Sequence, residues 1–147
     1  IVYRNSAGHW VEHIYPCTTD PGLHYLKRPM NVKGTAILIP GQYRGAYNIG
    51  LHRGRYSALV QRSGPVSVWR DRNMDDKLDL SGKPDTGYHG INIHHADAHR
   101  TSQRIGMWSA GCQVLADPED FRHVMKLCRE SCKKYGNRFT YTLLDEW

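Results

Sequence analysis

The longest uninterrupted apolar run in this 147-residue chain is Ala36-Ile37-Leu38-Ile39, and Pro40-Gly41 stops it at once. A membrane-spanning helix needs roughly 20 apolar residues, so no span is expected. A chain whose apolar residues come in such short bursts must build its core from many short elements, and its 14 Gly and 7 Pro supply the turns between them. Thr35–Ile39 reads as a buried strand. Two-residue alternation marks further strands at Ser57–Val60 and Val66–Trp69. Another is expected over Tyr88–His94, with Ile91 and Ile93 on one face and Asn92 and His94 on the other. The first 34 residues, punctuated by Pro16, Pro21, Gly22, Pro29 and Gly34, read as turns and short strands.

One segment carries helical periodicity. Asp117 is a good N-cap, Pro118 suits the first helical position, and Glu119 and Asp120 complement the positive end of the helix. Phe121, Val124, Met125, Cys128 and Cys132 then recur every three or four residues as an apolar stripe. Gly136 closes the helix, and Phe139–Leu143 alternates as a last strand. The expected fold is therefore mainly β, sandwich- or barrel-like, with one C-terminal α-helix, in a single domain over residues 1–147. A chain of this length buries roughly 70% of its unfolded surface without help from metal or disulfide. Its four cysteines, Cys17, Cys112, Cys128 and Cys132, form no CxxC pair. It starts at Ile1 with no apolar leader, so any targeting signal is expected to lie outside it.

The stretch Gly87–Leu115 concentrates the chemistry. His94 stands at the end of a predicted strand, and Ser109-Ala110-Gly111-Cys112 forms a tight turn. Gly111 permits a backbone path that presents the sulfur at a surface and leaves amide N–H groups nearby, the material of an oxyanion hole. A free thiol is only a few per cent thiolate at neutral pH, and a neighbouring imidazole overcomes that by forming a thiolate–imidazolium pair. Of His89, His94, His95 and His99, His94 is the best placed base.

His94, fourteen intervening residues, then Ser109-Ala110-Gly111-Cys112 resembles the signature of the L,D-transpeptidase (YkuD-like) catalytic domain. Ile39-Pro40-Gly41-Gln42-Tyr43, followed by Tyr47-Asn48-Ile49, is similar to that family's Pro-x-Gly-x-Tyr/Phe stretch. The resemblance implies a β-rich catalytic domain with Cys112 as nucleophile and His94 as base. It further implies that the His95 main-chain carbonyl orients the imidazole, that Ser109 shapes the turn, and that the amides of Gly111 and Cys112 hold the oxyanion. Tyr43, His89, Trp108 and Arg104 are the expected substrate contacts. The implied chemistry is attack on a peptidoglycan stem peptide after an L-centre, release of D-alanine, and acyl transfer to an amine, with no cofactor required. Ala110 replaces the family's second histidine, and Val114 replaces an Arg or Asn. Hydrolysis of the same substrate as an L,D-endopeptidase or carboxypeptidase, in a lysin or effector, is therefore the alternative to transfer. The implied location is the periplasm or cell wall, reached by secretion or phage delivery, and a monomer is expected.

Lys plus Arg exceed Asp plus Glu by 20 − 14 = 6, spread along the chain. Such a diffuse field favours a polyanionic partner. Tyr43-Arg44, Tyr47, His52-Arg53 and Arg55-Tyr56 read as a basic wall of the cleft suited to stem-peptide carboxylates, and no nucleic-acid partner is expected. Asp71, Asn73, Asp75 and Asp79 occupy positions one, three, five and nine of a calcium-type loop, although Asp76 stands in the glycine position and Gly82 in that of the bidentate glutamate. Calcium is thus a candidate ligand, in the setting of a non-catalytic, calcium-stabilised wall-binding module. The plain reading of the same segment is a polar turn held by Asx side chains. No HExxH zinc motif is present.

Overall fold

The short runs become strands where partners satisfy their backbone groups, and a computed structural model describes them over residues 1–145. In chain order the elements are β1 (Val2–Arg4), β2 (Trp10–Glu12), β3 (Cys17–Thr18), α1 (Leu23–Lys27), β4 (Thr35–Leu38) and β5 (Gly41–His52). There follow β6 (Tyr56–Gln61), β7 (Val66–Asp71), β8 (Asp85–Gly87), β9 (Ile93–His95), β10 (Gln113–Leu115), α2 (Pro118–Tyr135) and β11 (Phe139–Leu143). Six strands form one sheet in the order β11-β5-β6-β9-β10-β3, three form a second as β4-β7-β8, and β1 pairs with β2. The fold is mainly β with one long C-terminal helix.

Helix α2 begins and ends where its caps dictate. The Asp117 carboxylate accepts from the Glu119 amide at 2.7 Å, and Gly136 closes the helix. Its stripe of Phe121, Val124, Met125 and Cys128 is buried against β6, β9 and β10. The same cluster takes in Ala36 and Leu38 from β4, Tyr47 from β5, and Val66 and Val68 from β7, so one core joins helix and both larger sheets.

Three elements differ from expectation, the first being α1, a five-residue helix within the segment read as turns and short strands. Strand β5 runs for 12 residues through Gly41, Gly45 and Gly50, where glycines obscure the period-two pattern. Conversely, β9 covers only Ile93–His95 rather than Tyr88–His94. The reason is a side chain. Buried Gln61 accepts the amides of His89 and Gly90 on its Oε1, each at 2.9 Å, and donates from Nε2 to the carbonyls of Gly64 and Gly87. Gly90 adopts a positive φ of 69°. Residues 88–92 therefore follow a loop nailed to Gln61 instead of extending the strand.

Gln61 is 1% exposed, so its four hydrogen bonds have no water to replace them. Gln61→Leu should strand buried donors and acceptors and cost about 3 kcal/mol, roughly a 10 °C fall in melting temperature for a chain of this size. A thermal melt unchanged within about 2 °C would show that the loop holds itself.

Candidate active site

The site is assembled by the parallel pairing of β9 with β10, in a sheet whose other pairs are antiparallel. Val114 lies opposite His94 and Gln113 opposite Ile93, and the Gln113 amide donates to the Asn92 carbonyl at 2.8 Å. Cys112 thus falls beside Asn92. Alternation carried one residue past the ends of β9 and β10 puts Cys112 on the side of His94, although the sulfur borders one cavity and the ring another.

The turn before the sulfur is tied by Ser109, which is fully buried. Its hydroxyl donates to the Cys112 carbonyl at 2.7 Å and accepts from the Gly111 amide at 3.0 Å. Gly111 has φ of 121°, and a Cβ there would lie 2.3 Å from the Ala36 carbonyl oxygen, so no other residue fits. The Gly111 amide is consequently spent on Ser109 and does not join an oxyanion hole. Among the described residues the Cys112 amide has no hydrogen-bond partner, nor have those of Ser109 and Ala110, so the turn keeps free donors beside the sulfur.

Cys112 Sγ accepts from the Asn92 amide at 3.4 Å and approaches the Gly90 carbonyl at 3.5 Å. It borders a cavity of about 370 Å³ together with His52, Arg53, Tyr88, His89 and Trp108. His94 is 3% exposed. Its Nδ1 lies 2.7 Å from the main-chain oxygen of His95. A carbonyl only accepts, so Nδ1 carries the proton and Nε2 carries the lone pair. That Nε2 is buried with no partner. His94 borders a second cavity, of about 540 Å³, and His52, Arg53 and Trp108 form the wall common to both.

The expected thiolate–imidazolium pair is not formed. Burial pushes the Cys112 thiol above its ordinary range, outweighing the Asn92 amide and the Arg53 charge that pull it down. Burial likewise lowers His94 to about 4, assisted by the nearby charges of His95 and Arg53 and opposed by the hydrogen bond to the His95 carbonyl. Both groups are neutral at rest, and sulfur and ring make no hydrogen bond to each other.

His52 and Asn92 hold this pair in place. The His52 ring stacks on His94, centroids 4.2 Å apart and planes 27° from parallel. Asn92 Oδ1 accepts from the Gln61 amide at 3.0 Å, which orients Nδ2 to donate to His52 Nδ1 at 3.1 Å. His52 is 6% exposed, and burial lowers it to about 4 as well. The sequence reading put His52 in the basic wall of the cleft, but its stacking on His94, from the end of an unrecognised strand, carried no sequence signal.

The remaining expected site residues divide. His89 and Trp108 line the Cys112 cavity. His89 is locked there, accepting from Arg70 Nη2 and donating to the Asp85 carbonyl, each at 2.9 Å. Trp108 rides a loop supported by Tyr25, whose hydroxyl donates to the Met107 carbonyl at 3.2 Å. The His95 ring stacks on Tyr56 at 4.4 Å and meets Phe121 edge-on, away from the sulfur's cavity. Tyr43 is not brought to the cleft. It packs on the core, and its hydroxyl donates to the carbonyls of Ile39 and Ser67. Arg104 is exposed and lines neither cavity.

In the Asp71–Asp79 loop the oxygens serve the turn itself. Asp71 Oδ2 accepts from the Asp79 amide, Asn73 Oδ1 from the Asp75 amide, Asp75 Oδ1 from the Lys77 amide, and Asp79 Oδ1 from the Ser81 hydroxyl. Asp71 Oδ1 is buried without a partner, but calcium takes six to eight oxygens. Among the described residues no three His, Cys, Asp or Glu side chains converge as a ligand set.

Comparison of the chain with protein-family models, curated proteins and solved structures finds no match.

His52 and His94 stay neutral down to about pH 4, whereas unfolded histidines titrate near 6.5. Between those values the unfolded chain binds more protons, so stability rises with pH. The contribution is complete above about pH 7 and is lost as pH falls through 6.5 toward 4. Melting temperature should drop steadily from pH 7 to pH 5, and His94→Gln should roughly halve the slope. A flat profile over that range would refute the neutral stacked pair.

Proposed function

We propose that this protein is a cysteine acyltransferase or peptidase acting on peptidoglycan stem peptides, with Cys112 as nucleophile and His94 as general base. The observation that carries the reading is the buried, unpartnered lone pair on His94 Nε2, fixed by the His95 carbonyl, on the same face as a thiol that borders an open cavity. An unpaired acceptor sealed from water is costly, and a proton-accepting role gives that atom a use. The resemblance of His94 and Ser109–Cys112 to the L,D-transpeptidase signature is the basis for the substrate class.

The resting pair is neutral, so the step is general-base catalysis rather than attack by a preformed thiolate. As a substrate carbonyl carbon enters the cavity, a rotation about the Cys112 side chain brings sulfur toward Nε2. The S–H proton passes to Nε2, sulfur forms the C–S bond, and the carbonyl π pair moves onto oxygen, where the Cys112 amide meets it. Collapse expels the amine, which takes the proton back from Nε2–H and leaves a thioester. Water or an acceptor amine then attacks the thioester, with His94 again removing and returning the proton. His94⁺, transient in each half, lies against the neutral His52 ring.

Cys112→Ala and His94→Gln should each lower turnover of stem peptides by roughly a thousandfold or more while the protein stays folded by circular dichroism. Mass spectrometry during turnover should show an acyl adduct on Cys112. Full activity in the Cys112→Ala protein would remove the nucleophile from the mechanism.

A further inference from the structure

The backbone at Arg53 stands where arginine is a poor choice. The Arg55 amide donates to the His52 carbonyl at 3.0 Å, closing a turn whose central residues, Arg53 and Gly54, have φ of 49° and 71°. Positive φ at both central positions defines a type I′ hairpin turn, which glycine, asparagine and aspartate hold with least strain. A bulky cation kept there is held for its side chain.

That side chain is exposed and, among the described residues, has neither salt bridge nor hydrogen bond. It borders both the Cys112 cavity and the His94 cavity. The cavity's other arginine is occupied: Arg70 Nε holds Asp85 Oδ2 at 2.9 Å, Nη1 the Gly34 carbonyl and Nη2 His89 Nδ1. No Asp or Glu lines the Cys112 cavity. One unspent guanidinium therefore overlooks the nucleophile from a cavity that holds no acid, while Asp97, which lines the His94 cavity, is paired with Arg100. Val114, where the related signature carries a polar residue, is 2% exposed inside β10 and reaches no ligand.

We infer that Arg53 is a specificity-determining residue that clamps a free carboxylate on the acyl donor, so that the enzyme removes a carboxyl-terminal residue rather than cutting an internal bond. The guanidinium fork matches a carboxylate in two parallel N–H···O bonds. An internal amide offers it no charge. The occupant's identity as a stem peptide rests on the proposed function, but recognition of the carboxylate is measured without turnover.

The test uses the Cys112→Ala protein and a stem tetrapeptide ending in D-alanine, as free acid and as C-terminal amide, titrated by calorimetry. The acid is expected to bind at least tenfold more tightly than the amide. Arg53→Asn should erase that preference while leaving amide binding unchanged, and should keep or raise the melting temperature because asparagine suits the turn. Arg53→Lys should recover only part of the preference. Equal binding of acid and amide, no measurable acid binding, or equal loss of both in Arg53→Asn overturns the clamp. Acid preference through Arg53 without any adduct on Cys112 under turnover would leave the clamp standing and remove the acyl-transfer reading.

Discussion

The parallel pairing of β9 with β10 is the constraint on which the rest of the site depends. It sets Val114 opposite His94, and that register decides that thiol and imidazole emerge on one face. Parallel neighbours need a long crossover, here the 17-residue stretch between β9 and β10. That crossover delivers Trp108 to the rim and brings the Ser109–Cys112 turn under Ala36 of β4. A glycine at 111 is the only residue that tolerates the approach. Gln61 secures the other side by capturing the amides that lead into β9. Slipping the register by one residue would send His94 to the opposite face.

Burial sets the chemistry of the resting site. It lifts the Cys112 thiol and lowers His52 and His94 together, so the pair waits uncharged. Arg53, an unspent positive charge that acts on both groups, favours thiolate over thiol and disfavours imidazolium. An incoming anion would cancel both influences at once.

The elements and residues legible in the chain were those with local causes. Helix α2 was readable because its cap, its first proline, its stripe and its closing glycine all act within one element. The strands at β4, β6, β7 and β11 were readable from alternation or a bounded apolar run. Cys112, His94 and Ser109 stood out by residue type and spacing. Strand β5 was not legible, since its register is imposed by β6 and β11 rather than by its own glycine-rich pattern. The end of the expected Tyr88–His94 strand was not legible either, because a side chain 28 and 29 positions upstream captures the His89 and Gly90 amides.

Composition and local pattern alone determined a β-rich chain with one terminal helix, no long apolar helix, and a histidine and cysteine at a suggestive spacing. Tertiary structure alone decided that the Gly111 amide is consumed by Ser109, that His52 stacks on His94, that Tyr43 belongs to the core, and that Arg53 of the expected cleft wall is unpaired beside the sulfur's cavity. The physical reason is the range of the forces. Propensity, capping and turn preference act over a few residues and are written in order along the chain. Hydrogen-bond competition, desolvation and charge act through space, between segments that only the folded register brings together.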